Sequence, residues 1–353
     1  VRNANNSYTI TWPTTVTWNE GSAPTLKSSG LDNSPVQIFR FTTGDTGTTY
    51  QAWEEIDYVT NVDPTTYTAG SIFTWGRNTY NGVLGLNDAN NRSSPTQVGT
   101  DTTWEKISFN TGTGQNSAMY AIKSDATGWV WGDNSEGQQG QNNQGASNNE
   151  YSSPVQIPGS WTTIGGDTSA FGIKTDGTLW AWGMNQQGRS GLNTQIPGGV
   201  HSYSSPVQVG SDTTWSADRD KISINMSHGL AVKTDGTLWA WGEGDSGMLA
   251  QNNTTKYSSP VQIPGTTWRY AQAGYSNFAT KTDGTLWSWG YNEKGQLGHN
   301  NTTKYSSPVQ IPGTTWVKAN SHRRHTLATK TDGTLWVMGN NEDDGQLGTN
   351  NTT

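Results

Sequence analysis

The feature that most constrains this chain is a tandem repeat of about fifty residues. The 17 residues from 252 to 268 recur unchanged at 300 to 316. A Trp or Met followed by Gly marks each unit, at successive intervals of 56, 51, 59, 48 and 49 residues. The six marks are Trp75-Gly76, Trp131-Gly132, Trp182-Gly183, Trp241-Gly242, Trp289-Gly290 and Met338-Gly339. The chain is therefore organised around an array of similar units.

Each unit is predicted to be a small antiparallel sheet, because short strand-like runs alternate with turn residues and no helical periodicity of useful length occurs. In ATKTDGTLWSWG, the pair Asp283-Gly284 separates two such runs. An Asp-Gly pair is typical of a two-residue type I′ hairpin. The same pair recurs at Asp176, Asp235 and Asp332. We assign these carboxylates to turns rather than to catalysis.

The strand after this turn carries two Trp residues on one face, because strand side chains alternate with a period of two. In the fifth unit these are Trp287 and Trp289. One large aromatic side chain buries about 150–250 Å². The pattern therefore predicts that Trp residues pack neighbouring sheets against each other.

A Ser-Ser-Pro-Val-Gln run follows, and its proline, Pro260 or Pro308, has no amide to donate. Such a proline is typical of an edge strand, so we place this strand at the outer edge of each sheet. Four short strands in each of six units predict an all-β fold, a β-propeller whose four-stranded blades stand radially around an axis.

The pattern Asp-Gly-x-Leu-Trp-x-Trp-Gly-x-Asn-x-x-Gly-Gln-Leu-Gly resembles the regulator of chromosome condensation repeat, over roughly residues 69–353. The resemblance implies a propeller, usually of seven blades, whereas six units are visible here; both six and seven blades stay open. The best-known function in that family is nucleotide exchange on chromatin. It uses a basic histone-binding surface that this chain does not match.

The printed sequence ends at Thr353, where KYSSPVQIPG would follow in a complete repeat. Residues 34–38 (SPVQI) match the strand that would follow, and residues 48–50 resemble the TTW run. One interpretation is that the N-terminal part donates strands that close the ring. The other is that a longer natural chain continues beyond this point.

Residues 1–68 lack the repeat and are predicted to form a separate N-terminal β module. The strings YTITWPTTVTWNEGSAPTL and IFRFTTGDTGTTYQAW resemble a module of bacteriophage tail-fibre and virion structural proteins. This resemblance implies a virion protein outside the host cell. The alternative is a plain N-terminal cap on the propeller.

Composition narrows the function further. The chain has no Cys, a net charge of −7 and no Lys/Arg run, so neither a thiolate site nor nucleic-acid binding is expected. No stretch approaches the roughly 20 apolar residues that span a bilayer, so no membrane insertion is expected. No metal, cofactor or catalytic motif stands out, and we expect no enzyme.

The candidate binding residues lie in the loops before the second strand of each unit, where the units differ most. An Arg pair there could bind a carboxylate or sulfate group, or could instead form salt bridges with a neighbouring blade. His228 and His325 match a His residue of the family that packs structurally there. The candidates are His322, Arg323, Arg324, His325, Tyr275, Asn277 and His228.

These features predict a phage tail-fibre or receptor-binding component whose loops bind a host-surface glycan or protein. The alternatives are a capsid decoration or assembly subunit that contacts other virion proteins, and a secreted bacterial protein-binding propeller. Oligomeric forms are compatible with each.

Overall fold

A computed structural model gives the fold of the chain as two compact units, Val1–Tyr67 and Thr68–Thr353. The structure describes residues 16–18, 37–43, 50–56, 69–79, 81–108, 118–143, 150–166, 168–194, 202–225, 227–322, 324–341 and 345–349.

The N-terminal unit contains a three-stranded sheet. Strand β3 (Tyr50–Ile56) lies in the middle, parallel to β1 (Val16–Trp18) and antiparallel to β2 (Gln37–Thr43). Residues 34–36 of the segment predicted to close the ring lie outside the described residues. Ring closure by N-terminal strands therefore stays a prediction.

The repeat unit is built from strands, and the all-β prediction is confirmed. The strands are β4 (Phe73–Gly76), β5 (Arg92–Gln97), β6 (Trp104–Ser108), β7 (Ala118–Lys123), β8 (Thr127–Gly132), β9 (Tyr151–Gly166), β10 (Ser169–Lys174), β11 (Leu179–Met184), β12 (Ser202–Gln208), β13 (Ile222–Ile224), β14 (His228–Val232), β15 (Leu238–Gly242), β16 (Tyr257–Ile263), β17 (Trp268–Gln272), β18 (Ser276–Lys281), β19 (Leu286–Gly290), β20 (Tyr305–Ile311), β21 (Trp316–His322), β22 (His325–Lys330) and β23 (Leu335–Gly339). The described residues also contain three short 3₁₀ turns, Gln186–Gly188, Arg219–Lys221 and Asp245–Gly247. Within the described ranges, no helix is long and apolar enough to cross a bilayer.

In the described residues, strands β4 to β23 form five sheets, one of them seven-stranded (β6 to β12). We divide these sheets into six units, named blades 1 to 6 along the chain. Blade 4 (β13 to β16) and blade 5 (β17 to β20) are separate four-stranded sheets in chain order. Blades 2 and 3 share the 16-residue strand β9, which pairs with β8 at its start and with β10 at its end. In the described residues, blade 1 has two strands (β4 and β5) and blade 6 has three (β21 to β23). The proline-containing strands β16 and β20 lie at sheet edges, as predicted.

The Asp-Gly turn differs from the predicted type I′ hairpin. Gly284 has a φ of 79°, but Asp283 is not among the residues with positive φ. The Gly284 N–H donates to Lys281 O at 3.0 Å, and the Lys281 N–H donates to Thr285 O at 3.0 Å. The connection is therefore a three-residue loop, a type I turn followed by a left-handed Gly. The Asp283 carboxylate accepts hydrogen bonds from the backbone and hydroxyl of Thr285 at 3.0 and 2.7 Å, which lower its pKa.

The second Trp of each strand pair joins two blades, which confirms the predicted packing. The Trp289 Nε1–H of blade 5 donates to Met248 O of blade 4 at 2.8 Å. The corresponding pairs are Trp131 with Val83, Trp182 with Gln138 and Trp241 with Arg189, at 2.9, 2.7 and 2.9 Å. A buried indole N–H needs an acceptor, and the loop of the preceding blade supplies it.

That acceptor loop also docks on the outer strand of the next blade. Gly247 lies so close to Ser306 that a Cβ on the glycine would be 2.4 Å from Ser306 Cα. The Asn252 N–H donates to Ser306 O at 2.7 Å. Three earlier loops make the same bond, from Asn87 to Ser152, Asn142 to Ser204 and Asn193 to Ser258. The repeated Gly and Asn residues are therefore set by the contact between blades.

The first of the two Trp residues on this strand has a different role, because together with a second Trp of the same blade it flanks a lysine. The Lys281 Nζ lies 4.6 Å from the Trp268 ring centre and 4.7 Å from that of Trp287. Lys123, Lys174, Lys233 and Lys330 lie between equivalent Trp pairs at 3.4 to 5.3 Å. Each cation–π contact is worth about 0.5–1 kcal/mol at an exposed site and more when desolvated.

Blades 1 and 6, the first and last along the chain, show how much of the burial of these side chains comes from a neighbouring blade. Leu335 of blade 6 is 61% exposed, whereas Leu286, its equivalent in blade 5, is 0% exposed. Trp75 of blade 1 is 62% exposed, whereas Trp289 is 0% exposed. A single sheet therefore leaves these side chains open, and the adjacent blade covers them.

Candidate functional site

Loops of blades 4, 5 and 6 form an open groove with a volume of about 700 Å³. Its lining residues follow the third strand of each blade, and Tyr275 and Arg324 add to them just before the second strands of blades 5 and 6. This size falls within the range of ligand pockets, about 300–1,000 Å³. We call this feature the three-blade groove.

Blade 4 supplies the acidic end of the groove with Glu243 and Asp245. Both follow β15, and Asp245 begins the short 3₁₀ turn that also contains Ser246, at a φ of 58°. The Glu243 carboxylate lies 3.6 Å from Lys256 Nζ. The Asp245 side chain is exposed and forms no ion pair among the described residues.

Blade 5 supplies an aromatic middle. The ring centres of Tyr275 and Tyr291 are 6.4 Å apart, edge to face at 62°, and Tyr275 is 57% exposed. The Tyr291 hydroxyl donates to Glu293, and this bond raises the pKa of Tyr291. Lys304 lies 2.9 Å from Glu293 and 4.7 Å from the Tyr291 ring centre. Tyr291 is therefore held in place, while Tyr275 presents an open ring.

Blade 6 supplies the basic end. His322 of β21 pairs with His325 of β22, and Arg324 directly precedes β22. Arg324 is exposed and lines the groove beside His325. Its charge contributes a smaller lowering of the Glu293 pKa, after the bonds from Tyr291 and Lys304.

The predicted binding residues separate into three groups. Tyr275, Arg324 and His325 come together in the groove. Arg323 and the side chain of His322 lie outside the described residues. The remaining two, His228 and Asn277, are fully buried, so neither side chain is presented on the surface.

The buried pair, His228 and Asn277, holds one residue of the groove in place. His228 Nε2 and Asn277 Oδ1 are 2.7 Å apart, and Asn277 Nδ2 donates to Met248 O at 3.2 Å. Met248 is itself a groove residue. Burial lowers the pKa of His228 to about 4, so this imidazole is neutral at pH 7.

Sequence reasoning missed Glu243, Asp245 and Tyr291. A usable signal was present, because Glu243 and Tyr291 directly follow the Trp-Gly mark, and this position changes in every unit. Within the described residues, no group of three His, Asp or Glu side chains is placed to hold a metal ion.

Comparisons with known proteins agree with this architecture. Residues 69–110, 235–277 and 283–329 match the sequence profile of the regulator of chromosome condensation (RCC1) repeat. The chain carries RCC1 repeats. The ultraviolet-B receptor UVR8 of Arabidopsis thaliana is 26% identical over 204 residues, which is 55% of this chain and 42% of that protein. E3 ubiquitin-protein ligase HERC2 of Homo sapiens is 30% identical over 110 residues, which is 31% of this chain and 2% of that protein. The chain thus spans less than half of either relative.

Two solved structures, one of them yeast RCC1, share the fold. Yeast RCC1 (Prp20), solved with Kap60, superposes with a TM-score of 0.62 at 20% identity, covering 79% of this chain and 67% of that one. Human WBSCR16 gives a TM-score of 0.62 at 20% identity, covering 81% and 76%. The predicted β-propeller architecture is confirmed.

Proposed function

We propose that this chain is a non-enzymatic binding protein that recognises a polar ligand through the three-blade groove. The observation that carries the proposal is the convergence of Asp245, Tyr275 and Arg324 from three consecutive blades in one open groove. These residues offer an acceptor, an aromatic face and a fork of donors. Together these three side chains suit recognition of a polar ligand, because they combine hydrogen-bond acceptors and donors with a flat aromatic face.

The proposed ligand is a glycan or a protein on the surface of a host cell. Tyr combines a large contact area with a polar tip, and Arg recognises carboxylates through paired hydrogen bonds. Many copies on one particle would raise a weak single-site affinity by avidity.

The proposed setting is a bacteriophage virion, with the chain as a tail-fibre or receptor-binding component. Support comes from the N-terminal strings that resemble phage structural modules. Two other settings, a capsid decoration that contacts other virion proteins and a secreted bacterial binding protein, are outcomes of the test. Neighbouring phage tail genes are expected beside this gene; head genes or secretion genes there would contradict the tail assignment.

The binding proposal is tested with the labelled chain on arrays of bacterial surface glycans and on intact bacterial cells. Tyr275→Ala is expected to lower binding at least tenfold, because its exposed ring is removed from the groove. Tyr151→Ala is the matched control, since Tyr151 is also exposed but lies at the start of β9 and does not line the groove. Equal loss in both variants, or none in either, would contradict a role for the groove.

A further inference from the structure

We infer that the three-blade groove takes an extended protein segment that carries one basic and one acidic side chain around a flat or apolar middle. The inference rests on the proposed function and narrows its ligand to one class. It follows from the order of charges along the groove: acidic in blade 4, aromatic in blade 5 and basic in blade 6.

The acidic end is suited to a Lys or Arg side chain. Asp245 is exposed and stands beside Glu243, whose charge is only partly offset by Lys256 at 3.6 Å. Two carboxylates with one lysine leave a net negative charge at this end. A basic side chain of the partner would supply the missing counter-charge.

The basic end is suited to an Asp or Glu side chain. Arg324 is exposed and directly precedes β22, with its guanidinium in no hydrogen bond or salt bridge among the described residues. The nearby Glu293 is already bound by Tyr291 and Lys304. The guanidinium therefore keeps donors for a partner carboxylate, which it can bind with two parallel hydrogen bonds.

The middle of the groove favours a protein over a glycan. Tyr275, Tyr291 and Met248 meet there, with Arg324 beside them. Tyr, Met and Arg are among the residue types enriched in protein–protein interfaces, and Tyr and Arg are also enriched among hot spots. The charge order adds direction, because reversing the segment would place like charges together.

The test selects a displayed library of random heptapeptides on the immobilised full chain at low salt. Enriched peptides are expected to share one basic and one acidic residue in a fixed order. Synthetic fluorescent copies are then measured by anisotropy. Asp245→Lys and Arg324→Glu are each expected to weaken binding at least tenfold, whereas the control Glu105→Lys, on β6 of blade 2, leaves binding unchanged.

The double variant Asp245→Lys with Arg324→Glu is expected to select peptides with the opposite charge order. This result would require folded protein and cannot arise from simple loss of structure. Enrichment of uncharged peptides, or binding that none of these variants alters, would overturn the inference. Glycan binding that Tyr275→Ala abolishes, with no peptide enriched, would overturn it while leaving the proposed function intact. If neither the peptide library nor the glycan arrays and bacterial cells show binding that depends on the groove, both proposals are wrong.

Discussion

The bond between Trp289 and Met248 gives a direct measure of how strongly one blade holds the next. Trp289→Phe removes the indole N–H that donates to Met248 O at 2.8 Å, and it deletes three buried heavy atoms. The lost hydrogen bond costs about 1 kcal/mol. The lost burial adds about 2 kcal/mol at about 0.8 kcal/mol per buried carbon. Asn277 still donates to the carbonyl at 3.2 Å, so no further penalty arises, and we expect a loss of about 3 kcal/mol.

Trp287→Phe is the matched comparison, two residues away on the same strand. Its indole donates to Thr285 Oγ1 at 2.9 Å within its own blade, and the side chain is only half-buried. Water can replace that donor, so we expect a loss of about 1 kcal/mol. Reversible urea unfolding followed by far-UV circular dichroism measures both variants, provided that the m-value is unchanged. If Trp289→Phe proves no more costly than Trp287→Phe, the inter-blade bond does not stabilise the propeller as argued.

Three further predictions concern single positions. Ala250 occupies a left-handed position (φ 59°) where the other loops have glycine, so Ala250→Gly is expected to raise the free energy of unfolding by up to about 1 kcal/mol. Gly191→Ala, at φ 71°, is expected to lower the free energy of unfolding. A gain in stability in Gly191→Ala would contradict the strain argument. His228 has a folded pKa of about 4, below its ordinary 6.5, so between these pH values the unfolded chain binds a proton that the folded chain does not. The stability that depends on neutral His228 is therefore complete above pH 6.5 and declines by about 3 kcal/mol as the pH falls toward 4. Urea titrations of His228→Gln at several pH values should show a flatter decline. An equally steep decline in that variant would place the titration elsewhere. Lys281→Met removes a charge between two indoles and is expected to lower the free energy of unfolding by about 1 kcal/mol. Lys256→Met, on the surface, should change the urea midpoint little. Equal effects of the two variants would rule out a specific cation–π contribution.

The sequence was a good guide wherever the contacts are local. Strand pairing, the Asp-Gly turns and the edge position of Pro260 depend on residues a few positions apart, and the repeat shows them several times over. Even here the turn type was wrong. A Thr before Asp283 allows a type I turn followed by a left-handed Gly284, and the letters Asp-Gly alone do not distinguish this loop from a type I′ turn.

The structure brings some of the predicted binding residues together at the surface and buries others, for a physical reason. Tyr275 and Arg324 were recognised as unusual loop residues, but so were His228 and Asn277, which the structure buries. Whether a loop side chain points outward depends on the neighbouring blade, and that blade begins tens of residues away. No local pattern carries this information.

The sequence by itself determined that the chain forms repeated antiparallel sheets with Trp at matched positions, because those choices follow from strand periodicity and turn chemistry. Only the tertiary structure decided which Trp joins two blades, which encloses a lysine and which loops meet in one groove. Those contacts join residues about fifty positions apart, such as Trp241 and Arg189, and exist only once the sheets stand side by side.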